Sequence, residues 1–216
     1  MNTKLITTTA LAALVTTASA VSANAADYTP FARAELAYTD TGYDASRFQP
    51  EGFELGAAFT AGVLLNQKNE LSLSTGFTKW EGAHAGTPGV FDLNDEVEQI
   101  PLLLNYRYRF AVTEKLTLSV GPTVGVIHEK MTTNVHLNAG VGGIKAEGSY
   151  SDTDWKLAAG GTLAADYRLT DQWTLTASAQ ALHVDSSTYD TAGVGQTVTY
   201  GSAIRVGFTL GASYAW

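Results

Sequence analysis

Ionisable side chains recur at every second position in several segments of this chain. Arg107 and Arg109 are two residues apart, as are Asp166 and Arg168, and a tyrosine separates the members of each pair. Successive side chains of a β-strand point to opposite faces, so charges with this spacing share one face of a strand. The charges predicted on this polar face are Arg33, Glu35, Glu54, Arg107, Arg109, Glu129, Lys156, Asp166, Arg168 and Arg205.

Opposite charges gathered on one face have two possible roles. In an interior without water they must be paired and hydrogen-bonded, which would form a plug of ion pairs. An arginine cluster could instead line or gate a narrow path for ions. We expect the plug, with a salt-bridge network of Arg107, Arg109 and Arg168 around Asp166 near the periplasmic end. The alternative is a narrow channel for ions or small hydrophobic compounds.

Metal chemistry finds weaker support in the sequence. There are no cysteines, which excludes thiolate ligands and disulfides. His84, His128 and His136 lack the spacing of metal ligands. Four acidic residues could bind a divalent ion, but a solvated acidic rim is the favoured interpretation: Asp92, Asp95, Glu96 and Glu98. The sequence therefore predicts no metal site and no cofactor.

The elements that must carry these side chains are strands. In the last nineteen residues, from Val198 to Trp216, every second side chain is apolar or small and uncharged, and the opposite face is small and polar with one arginine. Strict alternation of this kind is the period of a strand. It recurs seven more times, in residues 28–40, 53–65, 70–79, 97–110, 116–130, 154–169 and 173–184.

The connections between these segments alternate in length. Three are short and polar, at residues 66–69, 111–115 and 170–172. Four are longer, at residues 41–52, 81–96, 131–153 and 185–197. Short turns at one end and long loops at the other are typical of an up-and-down barrel of the outer membrane. We therefore predict an all-β fold, an eight-stranded antiparallel up-and-down transmembrane β-barrel.

The composition of the two faces decides which one lies outside. The polar face is mostly Gly, Ser, Thr and Ala, which would be an unusual exterior for a soluble barrel. Charged residues make up only 16% of the chain, compared with about 25% in soluble domains. We expect the apolar face to contact lipid and the polar face to fill the lumen.

The first 25 residues read as a secretory signal peptide, with the barrel domain at residues 26–216. Lys4 is the basic residue before an apolar stretch, and Ala23-Asn24-Ala25 forms a cleavage site. Cleavage after Ala20 is the alternative, and a retained helical anchor would need a longer apolar segment. The predicted location is the outer membrane of a Gram-negative-type cell, reached by export through this signal.

The overall charge argues against nucleic acid as a partner. Formal net charge is −8, and the signal peptide carries only Lys4, so 12 basic residues oppose 21 acidic residues in the remainder. A surface of this kind does not follow a phosphate backbone.

The segment from Glu98 to Phe110, with the sequence EQIPLLLNYRYRF, resembles the fourth strand of the small outer-membrane β-barrel family, the porin-like group related to the OmpA barrel and the opacity proteins. Residues 121–126 and the terminal Tyr214-Ala215-Trp216 are similar too. The resemblance implies insertion into outer-membrane lipid by the barrel-assembly machinery. This machinery reads a C-terminal aromatic residue, usually Phe, where this chain has Trp. The implied assembly signal is Phe208, Leu210, Tyr214 and Trp216.

Some eight-stranded barrels modify lipid A with a His and a Ser two residues apart. Here the residue two positions after His183 is Asp185, and Ser186 and Ser187 follow, so the motif fails and we expect no enzyme. The predicted function is structural or interactive, with a plugged lumen. An extracellular ligand could bind through residues 131–153 and 81–96, where 131–153 is either a hairpin above the membrane or a mobile loop.

Overall fold

The computed structural model describes residues 28–39, 54–84, 91–137, 147–191 and 196–216. The predicted signal peptide and the predicted loop at residues 41–52 lie outside these ranges. No helix in the described ranges is long and apolar enough to cross a membrane. The strands are β1 (Tyr28–Thr39), β2 (Glu54–Leu65), β3 (Asn69–His84), β4 (Phe91–Ala111), β5 (Leu116–Leu137), β6 (Glu147–Arg168), β7 (Trp173–Val184), β8 (Ser187–Thr191), β9 (Gln196–Tyr200) and β10 (Ala203–Ala215).

Eight of these strands form one closed antiparallel barrel in the order β1-β10-β7-β6-β5-β4-β3-β2. The ladder between the first and last strands closes the barrel, from Phe31 opposite Ala215 to Thr39 opposite Gly207. The predicted eight-stranded antiparallel barrel is therefore confirmed. The structure adds a separate two-stranded sheet of β8 and β9 above it. β8 lies in the predicted fourth long loop, whereas β9 includes the start of the predicted last strand, so that strand is interrupted at Gly201-Ser202 and not continuous from Val198.

The two faces of the barrel have the orientation that the alternation predicts. Large apolar side chains are exposed on the outer surface, for example Leu55 at 71% and Leu163 at 55%. Charged and hydroxyl side chains one position away are buried inside, for example Lys156 and Thr162. A transmembrane barrel has this inverted distribution because lipid surrounds its apolar surface.

Short turns close one end of the barrel. At the β2–β3 connection Asn66 and Gln67 have φ of 52° and 58°, and the Lys68 N–H donates to the Leu65 carbonyl at 3.1 Å. Two central residues with positive φ are the mark of a type I′ turn, whose twist matches a tight hairpin. Thr113 and Thr170 stabilise the other two turns, since their hydroxyls accept hydrogen bonds from following backbone N–H groups.

At the opposite end the described parts of two predicted long loops, 81–96 and 131–153, are strand, which corrects the sequence prediction. Strands β3 and β4 pair as far as His84 opposite Leu93, and β5 and β6 as far as His136 opposite Glu147. Residues 81–84 and 91–96 are therefore the arms of one hairpin, and residues 131–137 and 147–153 are the arms of another, which favours the hairpin of the two alternatives for 131–153. The ladder continues because polar cross-strand pairs stabilise it, as in the contact of 3.0 Å between Lys79 and Glu96.

Two of the three prolines in the described strands, Pro101 and Pro122, interrupt ladders without shifting them, whereas Pro30 of β1 faces Val63 in an unbroken ladder. The β3–β4 pairs stop at Thr75 opposite Leu102 and resume at Thr78 opposite Gln99, which brackets Pro101. The β4–β5 pairs likewise skip the residues facing Pro122. Each pair of partners keeps the same register on both sides of the gap, so both sites are locally opened pairs, not bulges. The missing proline N–H explains the lost pairing.

Arginine substitutions at two neighbouring positions of β10 test the orientation of the barrel wall. Leu210 is 62% exposed on the outer surface, whereas Thr209 points inward and its hydroxyl donates to Glu35 at 2.6 Å. We expect Leu210→Arg to lower the free energy of unfolding in lipid vesicles by about 2–4 kcal/mol, the cost of a cation at mid-bilayer. Thr209→Arg should lower it much less, because the new cation lies beside the Glu35 carboxylate. Equal losses in denaturant titrations of the refolded proteins would contradict the orientation.

Candidate functional site

The candidate site is the lumen of the barrel, where the strands bring most of the predicted charges together. Each strand turns alternate residues inward, and the inward rows of neighbouring strands meet across the narrow interior. The buried charged residues are Arg33, Glu35, Glu70, Arg107, Glu129, Lys156, Asp166 and Arg205. Glu54 begins β2, but its side chain lies outside the described residues.

A lower cluster, defined as Arg33, Glu70 and Arg107, lies toward the short turns. The Arg107 guanidinium binds the Glu70 carboxylate through two nitrogens, and the Nε–Oε1 distance is 3.1 Å. Arg33 approaches the same oxygen at 3.7 Å. Glu70 is absent from the predicted set, although its position next to the lipid-facing Leu71 in the alternation marks it as inward-facing.

A second ion pair lies beside the lower cluster. Arg109 contacts Asp166 at 3.3 Å, and the Thr176 hydroxyl donates to the other oxygen of Asp166 at 2.8 Å. Arg168 does not join this pair, in contrast to the predicted network. It is exposed, and its guanidinium donates to the Glu114 carbonyl of the neighbouring turn at 2.7 Å. Since Arg168 is the last residue of β6, its side chain reaches the barrel rim, where water is available.

An upper cluster, defined as Gln99, Glu129, Lys156 and Arg205, lies toward the long connections. Lys156 contacts one oxygen of Glu129 at 2.5 Å, and Arg205 contacts the other at 3.2 Å. The Gln99 amide also donates to Glu129, at 2.6 Å. All four side chains are at least nine-tenths buried, so one carboxylate holds two cations in an interior where an isolated charge would be strongly unfavourable.

Hydrogen bonds from hydroxyl and amide groups connect the remaining polar residues. Glu35 accepts from the hydroxyls of Thr60 at 3.0 Å and Thr209 at 2.6 Å. A chain of contacts crosses three strands, from Asn105 to Thr123 at 2.8 Å and from Thr123 to Thr162 at 2.9 Å. Each of these two sets of hydrogen bonds holds neighbouring strands together in the middle of the lumen.

On the side of β4 to β7 an apolar layer lies between the polar middle of the lumen and the upper cluster. It consists of Leu103, Ile127, Ala158, Leu182 and Val184, all buried. On β5 the inward order is Thr123, Gly125, Ile127 and Glu129, so the layer has polar groups on both sides. A cavity of about 140 Å³ passes beside this layer, and its lining includes Arg107 of the lower cluster and both Gln99 and Arg205 of the upper cluster.

The histidines and acidic residues form no comparable site in the described ranges. His183 lies on the outer surface, where its Nε2 is 3.9 Å from the Asp185 carboxylate, and both side chains are more than half exposed. His128 packs its ring against Trp155 at 4.8 Å between centroids. Within this part of the chain no three His, Asp or Glu side chains are grouped in a way that could hold a metal ion.

An eight-stranded barrel with an apolar outer surface and an ion-paired interior belongs to the class of transmembrane β-barrels. The sequence matches the model of the family described as "Outer membrane protein beta-barrel domain" over residues 10–214, and the chain belongs to this family. The predicted membership of the outer-membrane barrels is therefore confirmed, and so is the outer membrane as its class of location.

Solved structures show the same fold. OprG, an outer membrane protein of Pseudomonas aeruginosa, has a TM-score of 0.56 at 14% identity, over 88% of this chain and 96% of that chain. A major outer membrane protein of Thermus thermophilus has a TM-score of 0.50 at 14% identity, over 86% and 99%. A weaker similarity is found to Ail, the attachment invasion locus protein of Yersinia pestis, with a TM-score of 0.46 at 12% identity, over 88% of this chain and 98% of that chain. No curated protein matches the sequence significantly.

Removal of the shared carboxylate in the upper cluster should be strongly destabilising. Glu129→Ala leaves the Lys156 and Arg205 cations buried without their common acceptor. We expect a loss of about 3–5 kcal/mol in the free energy of unfolding, measured by denaturant titration in vesicles. Adding Lys156→Met should recover part of the loss because one uncompensated charge is removed.

The matched control is Glu114→Ala, which removes an exposed carboxylate from a turn. It should change stability by less than about 0.5 kcal/mol. Similar losses in Glu129→Ala and Glu114→Ala would mean that the upper cluster does not stabilise the barrel.

Proposed function

We propose that this protein is a structural and surface-interaction barrel whose lumen is closed by its own charged side chains. The single observation that carries the proposal is the pairing of buried charges at two levels of the lumen, Glu70 with Arg107 and Glu129 with Lys156 and Arg205. An ion crossing the barrel would have to separate these pairs. Breaking a buried pair costs about 3–5 kcal/mol, which opposes steady conduction.

The apolar layer supports the same proposal on one side of the lumen. Its members, on β4 to β7, offer an ion no polar side chain between the middle of the lumen and Glu129. Narrow apolar surfaces oppose ions because water withdraws from them. On the other side the cavity passes the layer, so conduction there is opposed by ion pairing.

We infer that the barrel has no catalytic activity. The arrangement that would argue otherwise is a serine activated by a histidine. His183 is instead directed to the outer surface beside Asp185, and in the described part of the chain no serine is hydrogen-bonded to it.

We infer further that residues 1–25 act as an export signal and that β10 is the signal for the assembly machinery. Phe208, Leu210 and Trp216 form an exposed apolar row at this end of the chain. Tyr214 packs between Trp173 and Trp216, with centroid distances of 5.2 Å and 6.2 Å. Aromatic groups at this end suit the interface between lipid and water. The Trp at the terminus supplies the aromatic ring where relatives of this class usually carry Phe.

The surface that faces outward is the proposed site of interaction. Strands β3 to β6 extend beyond the ends of β2 and β7, and they carry the described hairpin arms within the predicted loops 81–96 and 131–153. The proposed extracellular ligand would contact these arms. Because the arms are paired strands, they offer a rigid platform rather than loose loops.

The cavity that reaches from the lower cluster to the upper cluster favours a second candidate function, a narrow channel. Its volume of about 140 Å³ leaves room for several water molecules next to Arg107. Rearrangement of Arg33 and Arg107 could join this cavity to the periplasmic end, which would give a gated path rather than a permanent pore.

Single-channel recording distinguishes the two functions. We expect the refolded mature protein to be silent in planar bilayers, or to open only rarely. Arg107→Ala and Arg109→Ala should raise the frequency of brief openings, because each removes one partner of a lumen pair. Arg168→Ala is the matched control and should have no effect, since Arg168 is exposed at a turn. Steady wild-type conductance whose ion selectivity changes in the two lumen variants would contradict the closed barrel.

The signal proposal predicts the mass of the exported protein. Cleavage after Ala25 leaves Ala26 as the first residue, whereas cleavage after Ala20 leaves Val21. We expect intact-mass measurement of protein purified from outer membranes to match the chain that begins at Ala26. Ala25→Arg should block this cleavage, with Asn24→Gln as the control that leaves it unchanged. Recovery of the full-length mass from wild-type membranes would refute the signal.

A further inference from the structure

Strand β6 has a long open edge above the barrel. It pairs with β5 up to Glu147, but its ladder with β7 ends where Ala158 faces Val184. Among the described strands, residues 147–156 therefore have a ladder partner on one side only. Edges of this kind are templates for the addition of another strand.

The hairpin of β8 and β9 continues the hairpin of β7 and β10 in the same register. Val184 pairs with Ala203, and three residues further along each strand Ser187 pairs with Tyr200. The two ladders are separated only by Asp185-Ser186 on one strand and Gly201-Ser202 on the other. These dipeptides face each other and are exposed, and a Cβ at Gly201 would meet no atom within 4 Å. They form an uncrowded break between the barrel and the β8–β9 hairpin.

The ladder between β6 and β7 already extends one residue into this break. The Asp185 N–H donates to the Leu157 carbonyl at 3.0 Å, which continues the register in which Ala158 faces Val184. Two residues further, Ser187 of β8 would face Trp155, and Tyr189 would face Thr153. Cα atoms of β8 come within 8 Å of β6, although the two strands belong to separate sheets.

The backbone N–H groups of β6 that a ladder with β8 would use already donate hydrogen bonds to neighbouring side chains. Leu157 directs its backbone groups toward β7, and the period of two means that Trp155 and Thr153 do the same. The Trp155 N–H donates to the Asp154 carboxylate at 2.8 Å, and the Thr153 N–H donates to the Asp152 carboxylate at 2.8 Å. Both donors are therefore satisfied without a neighbouring strand, and both become available when the carboxylates rotate to water.

We propose that the open edge of β6 is a strand-addition site and that its occupant is β8 of the same chain. Docking pairs Ser187–Thr191 with Ser151–Trp155 in antiparallel register and moves the β8–β9 hairpin into line with β7 and β10. The barrel wall then extends upward beside the upper cluster. This proposal does not depend on whether the lumen conducts.

Disulfide trapping tests the register, because the chain has no cysteine of its own. Thr153→Cys with Tyr189→Cys places the two thiols opposite each other in the docked state, within the range that a disulfide can span. Ser149→Cys with Tyr189→Cys is the matched control, displaced by four residues along β6. After mild oxidation of the protein refolded in vesicles, we expect an intramolecular disulfide in the first variant and much less in the second. Equal cross-linking, no cross-linking, or disulfide-linked dimers would overturn the proposal, and dimers would identify a second copy as the occupant.

Hydrogen exchange provides a test that does not require cysteines. In the double variant that combines Asp152→Ala and Asp154→Ala, the N–H groups of Thr153 and Trp155 lose their carboxylate acceptors. If β8 docks, exchange of the Thr153 and Trp155 amides stays as slow as in the wild type, or becomes slower, relative to the Leu163 amide in the barrel wall. A several-fold acceleration at both amides would mean that no strand replaces the carboxylates, and it would overturn the proposal.

Discussion

The closure of the backbone ladder is the constraint on which the rest of this structure depends. In lipid a backbone N–H or C=O without a partner is strongly unfavourable, so a sheet that crosses the membrane must leave no edge there. The pairing of β1 with β10 satisfies this requirement. Once the ring is closed, the period of two sends every second side chain into a confined interior. Charges that cannot face lipid are thereby forced together, and the pairing of Glu70 with Arg107 follows from the closure.

Besides the simple ion pair of Arg109 with Asp166, the interior resolves this crowding by sharing carboxylates. Glu129 accepts from Lys156, Arg205 and Gln99, and Glu70 accepts from Arg107 and lies close to Arg33. Because Glu70 and Glu129 each lie close to two cations, removal of either carboxylate would deprive two cations of their common acceptor. Sharing also fixes the relative positions of strands that are far apart in sequence, since Arg205 and Glu129 are separated by 76 residues. The lumen network is therefore both the candidate site and a structural element of the barrel.

Much of the fold could be predicted from the alternation, because lipid on one side and a narrow lumen on the other impose the same period on every strand. The orientation of Leu55, Leu163 and Lys156 follows directly from it. The partners within the lumen could not be predicted, because they depend on the register between strands. The predicted network around Asp166 includes Arg109 but not Arg168, whose position at the end of β6 gives it access to water. The hairpin arms were missed for a related reason: above the membrane polar side chains are allowed on both faces, so the alternation that reveals a strand is lost.

Inward-facing glycines show how the narrow barrel is accommodated. A Cβ at Gly121 would overlap the Tyr106 carbonyl oxygen, and one at Gly125 would overlap that of Leu102. The obstruction is the backbone of the neighbouring strand, so these glycines allow close approach between strands more than they make space for long side chains. Gly121 also precedes Pro122, where the ladder between β4 and β5 is open. The close approach of β4 and β5 and the local loss of their pairing thus occur at the same place. This place lies between Arg107 of the lower cluster and the hydrogen-bonded hydroxyl groups around Thr123. A side chain at Gly121 would push β5 away from β4, the strand that carries Arg107. The closed backbone ladder and the charge network inside it therefore both depend on this glycine.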